Sequence, residues 1–157
     1  HLPGNLPESP VVGRQTGYTD ALRDAGITPD PRLIPPGHYS FDSVAERVTQ
    51  LMALPLGERP TAMFCGADGI AFNALRVLNR LGFRVPHDVS LIGHDDLPET
   101  TQEHPPLTTM RQPFHNIGET VIQELLHVIA EKPTTGRKNL LPTELVVRES
   151  TAPPPTG

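Results

Sequence analysis

The pattern of apolar and polar positions is clearest around residues 89–92, a short apolar run that lies between Pro86 and Gly93. A continuous apolar run that begins with a β-branched residue is typical of a strand buried on both faces of a parallel sheet. The glycine is followed directly by a histidine and two aspartates over residues 94–96. Ligands of open α/β sheets bind beyond the carboxyl ends of the strands. The pattern therefore predicts a central strand with ligand-binding groups at its end.

Apolar residues also recur at helical spacing in three segments before this strand, with short apolar runs between them. The order helix, strand, helix, strand, helix, strand predicts a parallel sheet with right-handed crossovers, and hence an α/β fold. Residues 1–13 are rich in proline and are predicted to be a loop. The predicted elements are helices over residues 14–25, 40–52 (N-cap Ser40 or Asp42) and 68–81 (N-cap Asp68), and strands over residues 32–35 and 61–65.

The pattern changes after the central strand, where the chain is expected to leave the sheet. A long helix is predicted from Pro113 to about residue 131, and its apolar positions cover more than one narrow stripe. Such a helix needs two packing partners, so we expect one partner to lie outside this chain. The remaining segments are predicted to be a polar loop over residues 98–106, extended pieces over 107–110 and 140–147, and a proline-rich tail over 152–157.

Composition narrows the classes of function. The 157 residues carry a formal net charge of −5 without a block of lysines or arginines, so this chain by itself is a poor candidate for DNA binding. A single cysteine, Cys65, rules out an internal disulfide framework and suits the cytoplasm. No apolar run approaches the roughly 20 residues that span a bilayer, so no membrane association is expected. The loop-like opening residues indicate a fragment of a longer protein.

Enzymatic and metal-dependent functions find little support in the motifs. His94, Asp95, Asp96 and His104 are the residue types that bind metals, but their spacing matches no compact ligand motif. The sequence also lacks a nucleophile elbow, a P-loop and a G-x-G-x-x-G motif. We therefore predict that the protein is not an enzyme and that it holds neither a metal nor a cofactor.

Several segments, in this order and at this spacing, resemble the LacI/GalR family of bacterial transcription regulators. They are residues 14–22, 60–68, 74–75, 81–82, 85–93, 95–96, 105–109, 112–113 and 141–151. The resemblance implies a three-layer αβα lobe of a type I periplasmic-binding-protein-like fold. It also implies a repressor that forms a homodimer, binds a sugar or nucleoside-like effector, and reaches operator DNA only through a headpiece missing from this chain. A sugar-binding protein of a transporter is the alternative with the same fold.

The resemblance also implies how the chain is divided between two lobes. Residues 1–97 and 138–151 would form the C-terminal lobe of the effector-binding domain. Residues 108–132 would belong to the N-terminal lobe, and residues 152–157 would be a tail. Most of the N-terminal lobe would then lie outside this chain, which would account for the unusually apolar helix.

Five residues are candidates for effector binding. The resemblance assigns to Asp95 the acceptance of hydrogen bonds from sugar hydroxyls or base N–H groups, and it places Arg14 and Gln112 against the effector. Arg14 also opens a predicted helix, where a cation is unfavourable, so a ligand or carboxylate partner is indicated. Tyr39 could stack on a sugar or base, or pack on the neighbouring helix. Asp68 could bind the effector or serve only as an N-cap.

Two positions depart from the family pattern. Ala67 stands where many relatives have asparagine, so one hydrogen bond to the effector is expected to be lost. His94 replaces an aromatic residue that is common at its position. Asp96 is expected to have a structural role, turned into the loop.

Overall fold

The central strand is paired on both sides within a four-stranded sheet. The computed structural model describes residues 1–4, 9–130 and 139–154. Its helices are α1 (Ser9–Asp24), α2 (Phe41–Met52), α3 (Asp68–Arg80) and α4 (Phe114–Ile129), with 3-10 turns at Pro31–Leu33 and Pro98–Thr101. Its strands are β1 (Ala62–Phe64), β2 (Ser90–Asp95), β3 (Thr108–Arg111) and β4 (Glu144–Val146), in the spatial order β1-β2-β3-β4.

The sheet is mainly parallel, as predicted. Strands β1 and β3 both pair in parallel with β2, and β4 pairs antiparallel with β3. The α/β class is therefore confirmed. The expectation that the chain leaves the sheet after the central strand is wrong, because β3 lies directly beside β2. Leu107, Thr108 and Thr109 are buried there, and two threonines in a polar sequence neighbourhood gave no sign of a buried strand.

The amino-terminal residues also join the sheet, which corrects the predicted loop over residues 1–13. The Leu2 amide donates to the Phe64 carbonyl at 2.8 Å, and the Gly66 amide donates to the Leu2 carbonyl at 3.0 Å. The Leu2 side chain is completely buried. Helix α1 begins at Ser9, five residues earlier than predicted. A single leucine between prolines has no periodicity, so neither feature had a local signal.

The strand predicted at residues 32–35 is instead a 3-10 turn over Pro31–Leu33. Asp30 caps this turn, since its side chain accepts a hydrogen bond from the Arg32 amide at 2.8 Å. Prolines at positions 29, 31, 35 and 36 lack the amide hydrogens that a central strand needs for pairing. The prolines therefore favour a capped turn over a strand.

Helices α2 and α3 supply most of the hydrophobic core. Ser40 is the N-cap of α2, as predicted. The N-cap of α3 is Ala67 and not Asp68, which is the first helical residue. The core joins these helices to β1 and β2, and its completely buried members include Val44, Val48, Ile70, Leu78 and Leu91. This core supports the strands whose carboxyl ends form the edge of the sheet.

Helix α4 is different, because none of its side chains is buried. Its large apolar residues are half exposed or more, namely Phe114, Val121, Ile122, Leu125, Leu126, Val128 and Ile129. An open groove of about 430 Å³ lies between this helix and residues 139–143. Among the described residues, no helix is long and apolar enough to cross a membrane.

Candidate ligand-binding site

Three polar side chains meet the Asp95 carboxylate at the carboxyl edge of the sheet. Gln112 follows the end of β3, and its Nε2 donates to Asp95 Oδ1 at 2.5 Å. The His94 ring nitrogen Nδ1 lies 3.1 Å from the same oxygen. Arg14, from α1, brings its Nη2 to 3.8 Å from it. Three of the five predicted site residues are therefore neighbours, although they are up to 98 positions apart in the sequence.

The two oxygens of Asp95 have different surroundings. Oδ1 receives all three of these contacts, whereas Oδ2 has no hydrogen-bond partner among residues 1–4, 9–130 and 139–154. The Asp95 side chain is 20% exposed. Burial acts to raise its pKa, but hydrogen bonds with His94 and Gln112 and the charge of Arg14 outweigh burial and lower it. Asp95 is therefore an ionised acceptor with one oxygen anchored and the other open.

Arg14 is fixed by a second contact. Its Nη1 donates to the Gly66 carbonyl at 2.6 Å, just beyond the end of β1. Because α1 begins at Ser9, Arg14 lies in the second turn and does not open the helix, which corrects the premise drawn from the helix dipole. What holds this arginine at the edge of the sheet is its contact with a carbonyl and a carboxylate.

Tyr39 lies at the same edge but outside the group around Asp95. Its ring packs against the backbone of Gly4, where an added Cβ would collide with ring atoms Cζ and Oη. Its side chain is partly exposed. Gly4 in turn lies beside Gly66, whose carbonyl holds Arg14. The tyrosine thus forms one wall of the edge, and its ring lies so close to Gly4 that a larger residue there would displace it.

Asp68 lies beneath the site and is completely buried. Its Oδ1 accepts from Thr109 Oγ1 at 2.6 Å, and its Oδ2 accepts from the Leu97 amide at 2.9 Å. The carboxylate rests on Gly93, where a Cβ would leave it no room. Burial raises the pKa of Asp68. Both of its oxygens are used inside the protein, so Asp68 joins α3 to β3 and to the turn after β2.

Both carboxylate oxygens of Asp96 are held by arginines, in line with the structural role expected for it. Arg148 Nη2 and Arg111 Nε each donate to a different Asp96 oxygen at 2.6 Å. Burial acts to raise the pKa of Asp96, but hydrogen bonds from these arginines lower it below its usual value. The side chain is only 9% exposed.

Sequence reasoning missed the partners of the two adjacent aspartates. Arg111 and Arg148 were not singled out, and His94 was considered only as a metal-binding residue type and as a departure from the family pattern. Arg148 lies in a segment that carries the resemblance, but its pairing over 52 positions has no periodic signal, since only the folded sheet places it beside Asp96. In the part of the chain that the structure describes, no three His, Cys, Asp or Glu side chains gather closely enough to hold a metal ion.

Comparison with known proteins points to one family. The chain matches the family described as "Periplasmic binding protein-like domain" over residues 6–151. It is 38% identical over 138 residues to the HTH-type transcriptional repressor CytR of Escherichia coli K12, covering 88% of this chain and 40% of the relative. It is 34% identical over 149 residues to the HTH-type transcriptional repressor PurR of Vibrio atlanticus, covering 95% and 44%.

Solved structures agree with the sequence matches. The transcriptional regulator CelR in complex with cellobiose is 32% identical, with a TM-score of 0.86, over 95% of this chain and 45% of that one. The Lac repressor bound to ONPG is also 32% identical, with a TM-score of 0.83, over 96% and 44%. The chain therefore spans less than half the length of the curated relatives that it matches.

Proposed function

This chain belongs to the periplasmic binding protein-like family, and from that membership we propose that it is the effector-binding and dimerisation region of a LacI-type transcriptional repressor. The homologues named above are HTH-type transcriptional repressors and not enzymes. DNA binding would reside in a headpiece outside this chain, in keeping with the net charge of −5. The protein would act in the cytoplasm. The alternative of a transporter's sugar-binding protein is not favoured by these relatives.

The arrangement around Asp95 is the observation that carries this proposal. Its open Oδ2 can accept hydrogen bonds from neighbouring hydroxyls or from the N–H groups of a base. The opposite charges of Arg14 and Asp95 lie side by side and offset each other, so an uncharged ligand suits the site. These properties fit a sugar or a nucleoside-like effector, which Arg14 and Gln112 can also contact and on which Tyr39 can stack.

The division into lobes is part of the proposal. Residues 1–97 and 138–151 would form the C-terminal lobe, and residues 108–132 would belong to an N-terminal lobe that lies mostly outside this chain. The absence of any buried side chain on α4 supports this division, since a partner lobe would cover the apolar face. A cleft between two lobes would then enclose the effector above Asp95.

The homodimer is also part of the proposal. The sequence predicts that the helix over residues 70–81 and its neighbours carry apolar surface beyond what the sheet covers, through which two copies would pair. The apolar side chains Ile70, Leu75 and Leu78 of this helix are all buried against the sheet, and only Leu81 is well exposed. Sedimentation of the full-length protein at micromolar concentration should show a dimer, and a monomer would contradict this part of the proposal.

Effector binding is tested by a thermal-shift screen of the full-length protein against D-ribose, cellobiose, uridine and adenosine. A compound present at 100 times its dissociation constant should stabilise the protein by about 2.7 kcal/mol. Stabilisation by none of a wider set of sugars, nucleosides and purines would contradict the proposal.

The substitution Asp95→Asn then identifies the site. It keeps the shape of the side chain but places an amide where donors meet a carboxylate. Hydrogen bonds to charged groups contribute about 1.5–3 kcal/mol, so affinity should fall roughly 10- to 100-fold. Asp88→Asn is the matched control, because Asp88 pairs with Arg84 before β2 begins, at the opposite end of that strand. Equal losses of affinity in the two variants would show that Asp95 is not the effector carboxylate.

A further inference from the structure

Two consecutive aspartates at the end of β2 have unusual backbone conformations. The φ angle is 127° at Asp95 and 61° at Asp96, and no other non-glycine residue in the described part of the chain has a positive φ. L-residues rarely adopt such angles, and they persist only where the surrounding structure enforces them. The turn that aims Asp95 therefore needs a restraint, and part of it comes from Asp68, which accepts a hydrogen bond from the Leu97 amide at 2.9 Å.

A second restraint is the group formed by Asp96, Arg148, Arg111 and Thr100, which we call the Asp96 clamp. Arg148 and Arg111 each donate to Asp96 at 2.6 Å, and Thr100 Oγ1 lies 3.3 Å from Asp96 Oδ1. Charge-assisted hydrogen bonds of this length are about twice as strong as neutral ones. The side chains of Asp96 and Arg148 are 9% and 16% exposed, so solvent weakens this pair little.

Arg148 and the residues after it are anchored to the sheet at three points. Its Nη1 donates to the Leu107 carbonyl at 2.7 Å, and its backbone amide donates to Thr108 Oγ1 at 2.9 Å. Two residues later, Ser150 Oγ donates to the Leu91 carbonyl at 2.6 Å. The last segment of the chain thus crosses β3 and β2 and delivers a rigid guanidinium to the turn. A flexible surface arginine could not hold a strained backbone in this way.

We propose that Arg148 and Asp96 are positioning residues for effector binding, which hold the turn after β2 in the conformation that presents the Asp95 carboxylate to the ligand. This inference rests on the proposed function for its biological meaning. Neither residue touches the effector in this role. The two arginines occupy both carboxylate oxygens of Asp96, and Arg148 reaches the ligand only through Asp96 and the backbone shared with Asp95.

Removing the Asp96 clamp should lower the fraction of protein molecules in which Asp95 is positioned to bind the effector. Without the clamp, the two residues can relax to ordinary φ angles, and the Asp95 side chain leaves Gln112 and Arg14. An apparent dissociation constant rises in proportion as the competent fraction falls. Residues held in such conformations are disfavoured strongly enough that a loss of roughly tenfold or more in affinity is expected when the clamp is removed.

The first experiment measures effector affinity in full-length variants, using whichever of D-ribose, cellobiose, uridine or adenosine binds the wild-type protein. Arg148→Met keeps the length of the side chain and removes the charge and the donors. We expect about a tenfold loss of affinity. In an Asp95→Asn background, the same substitution should change affinity by less than about twofold, because a positioning residue has nothing left to position. The effector affinity of Arg148→Lys should lie between that of Arg148→Met and that of the wild type.

Arg84→Met is the matched control for this series. Arg84 pairs with Asp88 at 2.7 Å near the amino end of β2, so the substitution removes an arginine–aspartate pair far from the turn. We expect unchanged affinity. The positioning role would be overturned if Arg84→Met lost as much effector affinity as Arg148→Met. It would also be overturned if Arg148→Met lowered affinity equally in the wild-type and Asp95→Asn backgrounds.

The second experiment needs no ligand. The Gln112 side-chain amide donates to Asp95, so its NMR signal reports whether the carboxylate is in place. The signal is assigned by its loss in Gln112→Met. In Arg148→Met it should move toward the position of a solvent-exposed glutamine, and in Arg84→Met it should not move. If Arg148→Met does not fold, Asp96→Asn takes its place, because it weakens both arginine contacts without changing volume.

The outcomes separate the two proposals. If the wild-type protein binds none of a wide set of sugars, nucleosides and purines, the proposed function fails, while the Gln112 signal still decides whether the clamp positions Asp95. If the wild-type protein binds but the clamp variants keep both their affinity and the Gln112 signal, the positioning role is overturned. A displaced signal with non-additive affinity losses supports it.

Discussion

Helices α3 and α4 have similar sequence patterns and opposite environments. Both carry apolar residues at helical spacing, over 13 and 16 residues respectively. In α3 the side chains on that face are buried, among them Ile70, Leu75 and Leu78. In α4 no side chain is buried. The difference shows that a helical pattern specifies a face suited to burial, whereas the burial itself depends on a partner.

The exposed face of α4 is too large to be an ordinary surface feature. Val121, Ile122, Leu125 and Leu126 are each between 50% and 59% exposed. Complete burial of one such side chain contributes about 1.5–3 kcal/mol, and contiguous apolar surface of this kind marks an interaction site. This is the behaviour expected of a helix whose partner belongs to the proposed N-terminal lobe.

The largest expected effect is a core substitution in α3. Leu78→Ala should lower the free energy of unfolding by about 2–5 kcal/mol, because Leu78 is completely buried and its loss leaves a cavity. Leu125→Ala, on α4, should stay within about 0.5 kcal/mol in this 157-residue chain. Urea unfolding of both variants measures the difference. Similar losses would mean that α4 packs as closely as α3.

A second prediction concerns the same α4 substitution in the full-length protein. There Leu125 would be covered by the other lobe, so Leu125→Ala should cost about 2 kcal/mol or more. The cost should therefore depend on how much of the protein is present, while that of Leu78→Ala should not. An equally small effect of Leu125→Ala in both forms would contradict the lobe assignment of residues 108–132.

The smallest expected effect concerns pH and the first residue of α3. Burial raises the pKa of Asp68 in the folded protein above its unfolded value of about 3.9. Protonated Asp68 therefore favours the folded state, and this contribution to stability is complete below the unfolded pKa and lost as pH rises through the folded pKa. The stability of the wild type relative to Asp68→Asn should accordingly decline as pH rises from about 4.

Asp88 provides the control of opposite sign for that measurement. Hydrogen bonds from Arg84 lower its pKa to about 2. Its contribution to stability is therefore present above the unfolded value and lost as pH falls toward 2. Denaturant unfolding should show that wild-type stability relative to Asp68→Asn falls as pH rises from about 4. Wild-type stability relative to Asp88→Asn should instead fall as pH drops from about 4 toward 2. Slopes of the same sign would show that burial does not raise the pKa of Asp68.

Much of the fold follows from local pattern. The apolar run at residues 89–92 lies within β2, the helical spacing places α2, α3 and α4 within a few residues of their ends, and Ser40 caps α2 as predicted. These features depend on neighbouring residues alone, because helix and strand periods are properties of the backbone. The loop predicted over residues 1–13 and the missed strand β3 are failures where residues pair over a long distance, as Leu2 does with Phe64.

The candidate site was predicted only in part, because its residues come together from distant parts of the sequence. Asp95, Arg14 and Gln112 could be named because the resemblance supplied them, and the structure brings their side chains together. Whether they bind an effector stays a prediction. The structure places Asp68 beneath the edge with both oxygens occupied. A strand-end aspartate looks the same in sequence whether its side chain turns outward or inward.

The sequence by itself determined most of the helices, the central strand, that the sheet is mainly parallel, and to which family the chain belongs. The resemblance pointed to Asp95, but only the tertiary structure shows the contacts that pair both oxygens of Asp96 and leave one oxygen of Asp95 open. Arg148 contacts Asp96 only because β3 and the segment after β4 lie beside β2. Contacts of this kind join residues far apart in sequence, and no local pattern encodes them.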